Sequence, residues 1–393
     1  MTNAPMMTNA LQVRPVRSEA DRQAFLRFPW AVYQDDPNWV GPLWKEHVEF
    51  FDVESNPELK HMTRDWFVAW RGNQPVGTIH AHVNHLYNDY HNANAGWFGQ
   101  FEVFNDAEAG SGLLSAAESW LREQGVEEII GPATFSTGSE IGLLIDGFDE
   151  MPMILIPYAK PYYKEFVEAH GFEKAIDFWA WYLDSHQWGG QELDQLPEKI
   201  VRITEKLRQR RGVTLRRPNM RRVQEEFDLV RDLYNQSWEK NWGFVPLTEE
   251  QIDKLAETVV SVMDPHISFW IEREGEPVGF LLPLPNLYEP MKKARFKPGE
   301  PHWWQLLRLL WHWRIAGRVT SLRVFALGIL PEHRGAGLDA LAYTELIRAG
   351  VPRGYRDVEM SQILANNDMM NRAIERLGAR VYKTHRVYLK KLT

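Results

Sequence analysis

The stretch Ser321–Arg348, SLRVFALGILPEHRGAGLDALAYTELIR, decides how the rest of the chain is read. Its apolar run from Val324 to Leu330 predicts a strand. Pro331-Glu332 follows, then Arg334-Gly335-Ala336-Gly337, then apolar residues at helical spacing. A strand that ends in a glycine-rich turn and restarts as a helix aims several backbone N–H groups at one spot. The helix N-terminus adds about half a positive charge there. That is an anion cradle, and phosphate is its usual guest.

Around it lies a chain of 393 residues, a length that suits two domains. Hydrophobic residues make up 44% and charged residues 25%, which fits a globular protein. A net charge of −8 gives no footprint for general nucleic-acid binding. The absence of cysteine excludes disulfides, thiolate metal sites and a cysteine nucleophile, and fits the cytoplasm. The opening MTNAPMMTNALQVRP holds no apolar core of signal-peptide length, and no apolar run reaches that of a spanning helix. Seventeen tryptophans are the unusual count; they predict large grooves, an interface or contact with a lipid-like ligand.

The chain reads as one unit used twice. Arg71-Gly72-Asn73-Gln74-Pro75-Val76-Gly77 and Arg273-Glu274-Gly275-Glu276-Pro277-Val278-Gly279 each follow an apolar run and predict a hairpin. Upstream, Val13-Arg14-Pro15 matches Leu215-Arg216-Arg217-Pro218, and Asn38-Trp39 matches Asn241-Trp242. Downstream, His170-Gly171-Phe172 matches Leu377-Gly378-Ala379, each before a final strand. All the offsets lie near 200 residues, roughly half the chain, as a duplication requires. Each half predicts strand, helical region, hairpin, strand, helix, strand, helix, strand. The polar, Gly-rich segment 187–196 is the expected join, giving domains 1–188 and 189–393. Residues 199–211 after it read as a basic amphipathic helix with a solvated face.

The second half carries an insertion at about 287–320 that the first lacks. Within it, Trp303, Leu306, Leu307, Leu310, Trp313 and Ile315 fall near one helical face, with Arg308, Arg314 and Arg318 largely off it. Such a helix suits a membrane surface or a lid over a long apolar ligand. Packing onto the core fits the leucine spacing equally well. The corresponding expectation is peripheral contact with the inner face of a membrane through residues 302–318.

The order β-strand, Pro-Glu-x-Arg-Gly-x-Gly, helix resembles the acyl-CoA binding motif of the GCN5-related N-acyltransferases, the GNAT superfamily. The resemblance implies an α/β (α+β) fold of two tandem GNAT-like domains, each a mixed, splayed sheet flanked by helices. It implies acetyl-CoA or a longer acyl-CoA as co-substrate, and a small-molecule or lipid primary amine as acceptor. Leu327, Gly328 and Ile329 would offer backbone bonds to the pantetheine arm. Arg334, Gly335, Ala336, Gly337 and Leu338 would form the pyrophosphate cradle. Arg334 and Gly337 match the family's Arg/Gln-x-x-Gly-x-Gly/Ala; its sixth position, where a small residue is usual, holds Asp339. Asn367, after the next strand at 357–364, matches an asparagine that contacts the pantetheine side, with Gly378 following as in the pattern. The tyrosine that commonly protonates the departing thiolate is replaced by Ile374, leaving Tyr382, Tyr388 or water for that task.

Attack on a thioester needs a neutral amine, hence a base. Glu359 and Ser361 share one strand face and are candidates, as are Glu332 and His385. Glu359, Ser361 and Tyr388 form the catalytic candidate set. In the first half, Asn105 to Gly112 has no arginine, so that half is expected not to bind CoA. Its hydroxyl-rich, Gly-punctuated segment 131–148 offers Ser136, Glu140 and Asp146 as groups for recognising an amine, or serves as a long connection. His80 and His82 share a strand face, as zinc ligands do, but with no cysteine beside them no metal site is assigned. No Gly-x-Ser-x-Gly elbow supports a hydrolase triad. The function expected is acyl transfer from CoA to a primary amine, with an apolar donor or acceptor of the ceramide or N-acyl-lipid type. A GNAT-fold binding or scaffold protein without catalysis is the alternative.

Overall fold

The computed structural model describes residues 10–136, 138–184, 187, 198–209 and 212–392. The expected domain boundary at 188/189 and most of the expected join lie outside them. The chain forms two compact units. One gathers the chain up to Asp177 with Arg295–Leu306 and the segment from Thr384; the other gathers Phe178–Ala294 and Leu307–Lys383.

The first unit holds a mixed sheet of β1 (Leu11–Pro15), β2 (Met62–Arg71), β3 (Gln74–Asn84), β4 (Ala95–Val103) and β5 (Glu128–Gly131) in that order. β6 (Leu143–Asp146) lies off this path. The second unit repeats the order. It takes β7 (Glu173–Asp184) from Phe178 onward, then β12 (Asp357–Leu364), β11 (Ser321–Ile329), β10 (Glu276–Pro285), β9 (Phe269–Arg273) and β8 (Val213–Arg216). β13 (Arg380–Lys391) closes the first unit, pairing antiparallel with β5 and, at Thr384–Arg386, with β6. Each unit is therefore closed by a strand from the far end of the other half. The duplication is visible as matched topology: β4 runs parallel to β5, and β11 parallel to β12.

Each sheet is backed by its own core. In the second unit Leu338, Leu341, Leu346 and Ile347 of the Leu338–Gly350 helix pack on Leu281, Leu322 and Val358. In the first, Leu113, Leu114 and Leu121 of the Ala107–Glu123 helix pack on Ile79, Ala81 and Phe101. Ser18 and Thr248 close capping boxes at the starts of the Glu19–Val32 and Glu249–Val262 helices.

The insertion forms the His302–Leu310 helix, continued by a π-helical turn over Trp311–Ile315. Its apolar stripe points outward: Trp303 is 63% exposed, Leu307 52%, Trp311 54% and Ile315 67%. Trp304 and Leu310 are exposed with them. Two expected members are half-buried instead: Leu306 borders the inner-face Gln305, and Trp313 lies in the π turn, which shifts the helical phase. Gln305 and Leu309 hold the inner face. The Gln305 amide accepts from the Trp44 N–H at 2.9 Å and donates to the Lys297 carbonyl at 3.1 Å. Packing of the whole apolar stripe onto the core is thus excluded. Among the described residues, no helix is long and apolar enough to cross a membrane.

Candidate active site

β11 and β12 pair in parallel only from Ser321↔Asp357 to Val324↔Met360. Beyond that point β11 continues to pair with β10 as far as Ile329, and β12 shifts register against β7 between Met360 and Ile363. The irregularity bends β12 away, as bulges do. Among the described residues, the β11 edge from Phe325 to Ile329 that faces β12 has no strand partner. Such an edge accepts an extended ligand as an added strand.

The splay opens into a groove of about 690 Å³. Leu327, Ile329, Arg334, Gly335, Leu338 and Asn367 all line it, so the structure brings together most of the expected binding set. Gly335 and Gly337 adopt φ of +72° and +83°, the left-handed region that only glycine enters cheaply. Gly337 is the N-cap of the Leu338–Gly350 helix and supplies no side-chain cap. The first N–H groups of that helix thus have no side chain to satisfy them and point at the cradle. A carbon at Gly337 Cβ would stand 2.9 Å from Ile203 Cγ2. Gly328 is not in the lining; one face of it lies under the rings of Phe280 and Trp238. Ala336 and Gly337 form the turn behind the lining residues.

Arg334 braces the turn. Its Nε donates to the Ile329 carbonyl at 3.0 Å and an NH2 group to the Ser237 carbonyl at 2.5 Å. Asn367 caps the Asp368–Glu375 helix, its Oδ1 accepting from Met370 N–H at 3.3 Å. Asp339 lines the groove in the first helical turn, a carboxylate beside the cradle. The structure adds Ser237, Trp238, Asn241 and His333, which sequence reasoning missed as ligand groups. Ser237 Oγ is buried and has no hydrogen-bond partner among the described residues. An orphaned buried hydroxyl in a lining is what a polar ligand satisfies. Together with the cradle it fits a pyrophosphate-bearing co-substrate. The sequence marks Asn241 only as a repeat match; its position in the turn just past the Val223–Trp238 helix, its N–H on the Trp238 carbonyl, is not legible in spacing.

The catalytic candidates separate. Glu359 is fully buried at the closed end of the splay and is not in the groove lining. Its carboxylate accepts from the hydroxyls of Ser361 and Tyr382, and Lys383 Nζ lies at 3.4 Å. Lys383 also donates to the Tyr382 oxygen at 2.9 Å. Burial pushes the Glu359 carboxyl up. The Lys383 charge, the two hydroxyls and Arg323 outweigh it and hold the carboxyl below its usual range. A carboxylate held ionised this firmly is a weak base. Ile374 is buried in the core. Tyr388 belongs to the first unit; it is buried, its hydroxyl donates to Glu168 at 3.0 Å, and burial raises its pKa. His385 also lies in the first unit, buried against the Pro157 carbonyl, and Glu332 is exposed.

The first unit's own splay is filled from within. Ala133 N–H donates to the Phe98 carbonyl at 2.8 Å, and Phe135 is fully buried. A Cβ at Gly99 would meet the Ala133 carbonyl oxygen at 2.1 Å. Of the amine-recognition candidates, Ser136 and Glu140 lie in this segment and Asp146 does not; it is exposed at the end of β6. Ser136 and Ser139 both hydrogen-bond Glu58, whose carboxyl burial pushes up. Glu140 approaches the Thr134 hydroxyl at 3.4 Å. Glu102, which sequence reasoning passed over, is pushed up to about 8 by burial and accepts from Tyr163 at 2.8 Å. His80 and His82 stack at 4.5 Å inside the core, and burial lowers both. Among the described residues no group of three or more ligating side chains gathers.

No family model matches the chain. It is 32% identical to Protein YghO of Escherichia coli, with 98% of each chain covered. It is also 32% identical to a bacterial ceramide synthase of Caulobacter vibrioides, covering 98% of this chain and 99% of that one. Among solved structures it matches a tandem GNAT protein from the clavulanic acid biosynthesis pathway with a TM-score of 0.54 at 14% identity, over 97% and 98% of the two chains. A GCN5-related N-acetyltransferase from Sphaerobacter thermophilus matches at 0.53 and 14% identity, over 97% and 95%.

Proposed function

The chain belongs to the tandem GNAT family, and on that premise we propose that it is an acyl-CoA-dependent N-acyltransferase. The observation that carries the reading is the groove: an unpaired β11 edge ending in a glycine cradle at an uncapped helix start. The two halves, 1–188 and 189–393, are read as a duplication in which only the second binds acyl-CoA. The filled splay of the first unit supports that division.

In this reading the thioester supplies an activated acyl carbon. The β11 edge at Leu327–Ile329 orients it, and the cradle holds the pyrophosphate. A neutral primary amine attacks the carbonyl carbon directly; the C–N bond forms, the C–S bond breaks, and the thiolate takes up a proton. Water takes the proton that the amine releases. Glu359, with its carboxylate held ionised, acts as a positioning residue for Ser361 and Tyr382.

The acceptor or donor is apolar and of the N-acyl-lipid type. Resemblance to the ceramide synthase supports this, as does the outward stripe on the insertion. Exposed Trp303, Leu307 and Trp311, flanked by exposed Arg314 and Arg318, suit the interface of an anionic membrane. The triple variant Trp303→Ser, Leu307→Ser, Trp311→Ser should lower flotation with anionic liposomes by roughly tenfold or more, since three large apolar side chains leave the interface. Unchanged flotation would refute membrane contact. The protein would then act at the cytoplasmic side without docking.

The activity test is direct. The full chain is incubated with palmitoyl-CoA or acetyl-CoA and a primary alkylamine, and free thiol and amide are quantified. Equal amounts of both are expected. Tight binding of acyl-CoA with no thiol release would favour the alternative, a GNAT-fold binding protein. Asp339 in the lining and Ile374 at the acid position speak for that alternative. Neither binding nor release would sink the acyl-CoA reading.

A further inference from the structure

The Val223–Trp238 helix ends beside the groove, and Ser237, Trp238 and Asn241 at its end line it. Ser237 is 8% exposed, and its Oγ has no hydrogen-bond partner among the described residues. A serine or threonine inside a helix ordinarily turns its hydroxyl back to a carbonyl one turn earlier. Thr204 in the Glu198–Gln209 helix does so, donating to the Ile200 carbonyl at 3.0 Å, and Thr344 donates to the Ala340 carbonyl at 2.7 Å. Ser237 makes no such bond. A buried hydroxyl without a partner is a cost to the free protein that a ligand can remove.

The backbone that carries this hydroxyl is held from two sides. The Ser237 carbonyl accepts from Arg334, whose Nε donates to the Ile329 carbonyl. One guanidinium thus ties the end of the helix to the end of β11. The neighbouring Trp238 ring is stacked on Tyr234 at 4.8 Å, stands 5.8 Å from the Phe280 ring and covers Gly328. The helix end cannot turn to find Ser237 a partner in the protein without breaking these contacts. Its hydroxyl stays in the groove wall.

We propose that Ser237 Oγ binds the uncharged pantetheine arm of the acyl-CoA donor, opposite the β11 edge at Leu327–Ile329. The proposal rests on the acyl-CoA reading and deepens it by naming a side chain that grips the arm. Two observations favour the arm over the pyrophosphate. Arg334 anchors Ser237 to Ile329, the last residue of that edge, whereas the cradle N–H groups lie further on, at the start of the Leu338–Gly350 helix. Ser237 also sits at the carbonyl end of its own helix, where the helix dipole is negative and disfavours a phosphate. The amides and hydroxyl of the arm carry no charge and both give and accept hydrogen bonds.

The test measures binding of CoA, phosphopantetheine and ADP to the full chain by calorimetry, for wild type and Ser237→Ala, with thermal melts of the free proteins. Phosphopantetheine keeps the arm, and ADP keeps the pyrophosphate without it. Ser237→Ala should bind CoA and phosphopantetheine roughly two- to tenfold more weakly, the worth of one hydrogen bond, and ADP as wild type does. Its melting temperature should equal or exceed that of wild type, because an unpartnered hydroxyl has been removed. Unchanged CoA affinity would overturn the proposal. So would an equal loss for ADP, which would place the hydroxyl on the pyrophosphate. A melting temperature several degrees lower would make the hydroxyl a structural partner in the free protein and overturn it too. In each of these cases CoA binding by wild type leaves the acyl-CoA reading standing; no binding of CoA to wild type fails that reading itself.

Discussion

Gly337→Val is expected to weaken CoA binding at least tenfold, about 1.4 kcal/mol or more. Gly337 sits at φ +83°, where a residue with a Cβ pays roughly 1–2 kcal/mol and a β-branched one more. The new Cβ would also press on Ile203 at 2.9 Å. The chain relieves both by rotating the turn, which turns the N–H groups of the Leu338–Gly350 helix away from the cradle. Calorimetric titration with CoA reads the effect, and a thermal melt separates it from unfolding. Undiminished affinity in a folded variant would show that the anion sits elsewhere.

Lys383→Met is expected to cost stability more than any other single charge removal. Lys383 and Glu359 are both essentially sealed from solvent, with 3.4 Å between Nζ and the carboxylate. Removing one partner of a buried pair leaves an uncompensated charge and costs about 3–5 kcal/mol. At about 2–4 °C per kcal/mol, the melting temperature should fall by roughly 6–20 °C. The double variant Lys383→Met, Glu359→Gln should recover much of the loss, because no bare charge remains buried. The pH dependence has a definite sign. The folded-state pKa of Glu359 is depressed, so its stabilisation is present at neutral pH and is lost as pH falls through the folded value, below the ordinary carboxylate range. The lysine variant should therefore lose that acid-side dependence. A melting temperature at pH 7 within a degree or two of wild type would contradict the assignment of Glu359 as the anchor of Ser361 and Tyr382.

Much of this molecule is local in origin, and local features are what a sequence displays. The cradle was legible because Gly335 and Gly337 permit a backbone that other residues resist, and because β-branched Val324 and Ile329 mark the strand feeding it. The duplication was legible because turns with fixed chemistry, Arg71 to Gly77 and Arg273 to Gly279, recur in the same order. Asn367 was legible because an N-cap is a property of its own few residues.

The tertiary structure decided what depends on distant partners. The exchange of closing strands is one case: β7 completes the second sheet and β13 the first, and edge-strand pairing leaves no mark in the periodicity of either. Another is the fate of Glu359, a base candidate by strand face alone, which Tyr382 and Lys383 convert into a buried anchor from 23 and 24 residues away. The groove's Ser237 and Trp238 come from the Val223–Trp238 helix, which no motif in the chain singles out. The insertion's face needed the fold as well. Spacing placed its tryptophans on a stripe, but only the seating of Gln305 and Leu309 turned that stripe toward solvent. Backbone conformation is set residue by residue, whereas burial and pairing are set by whatever part of the chain arrives opposite.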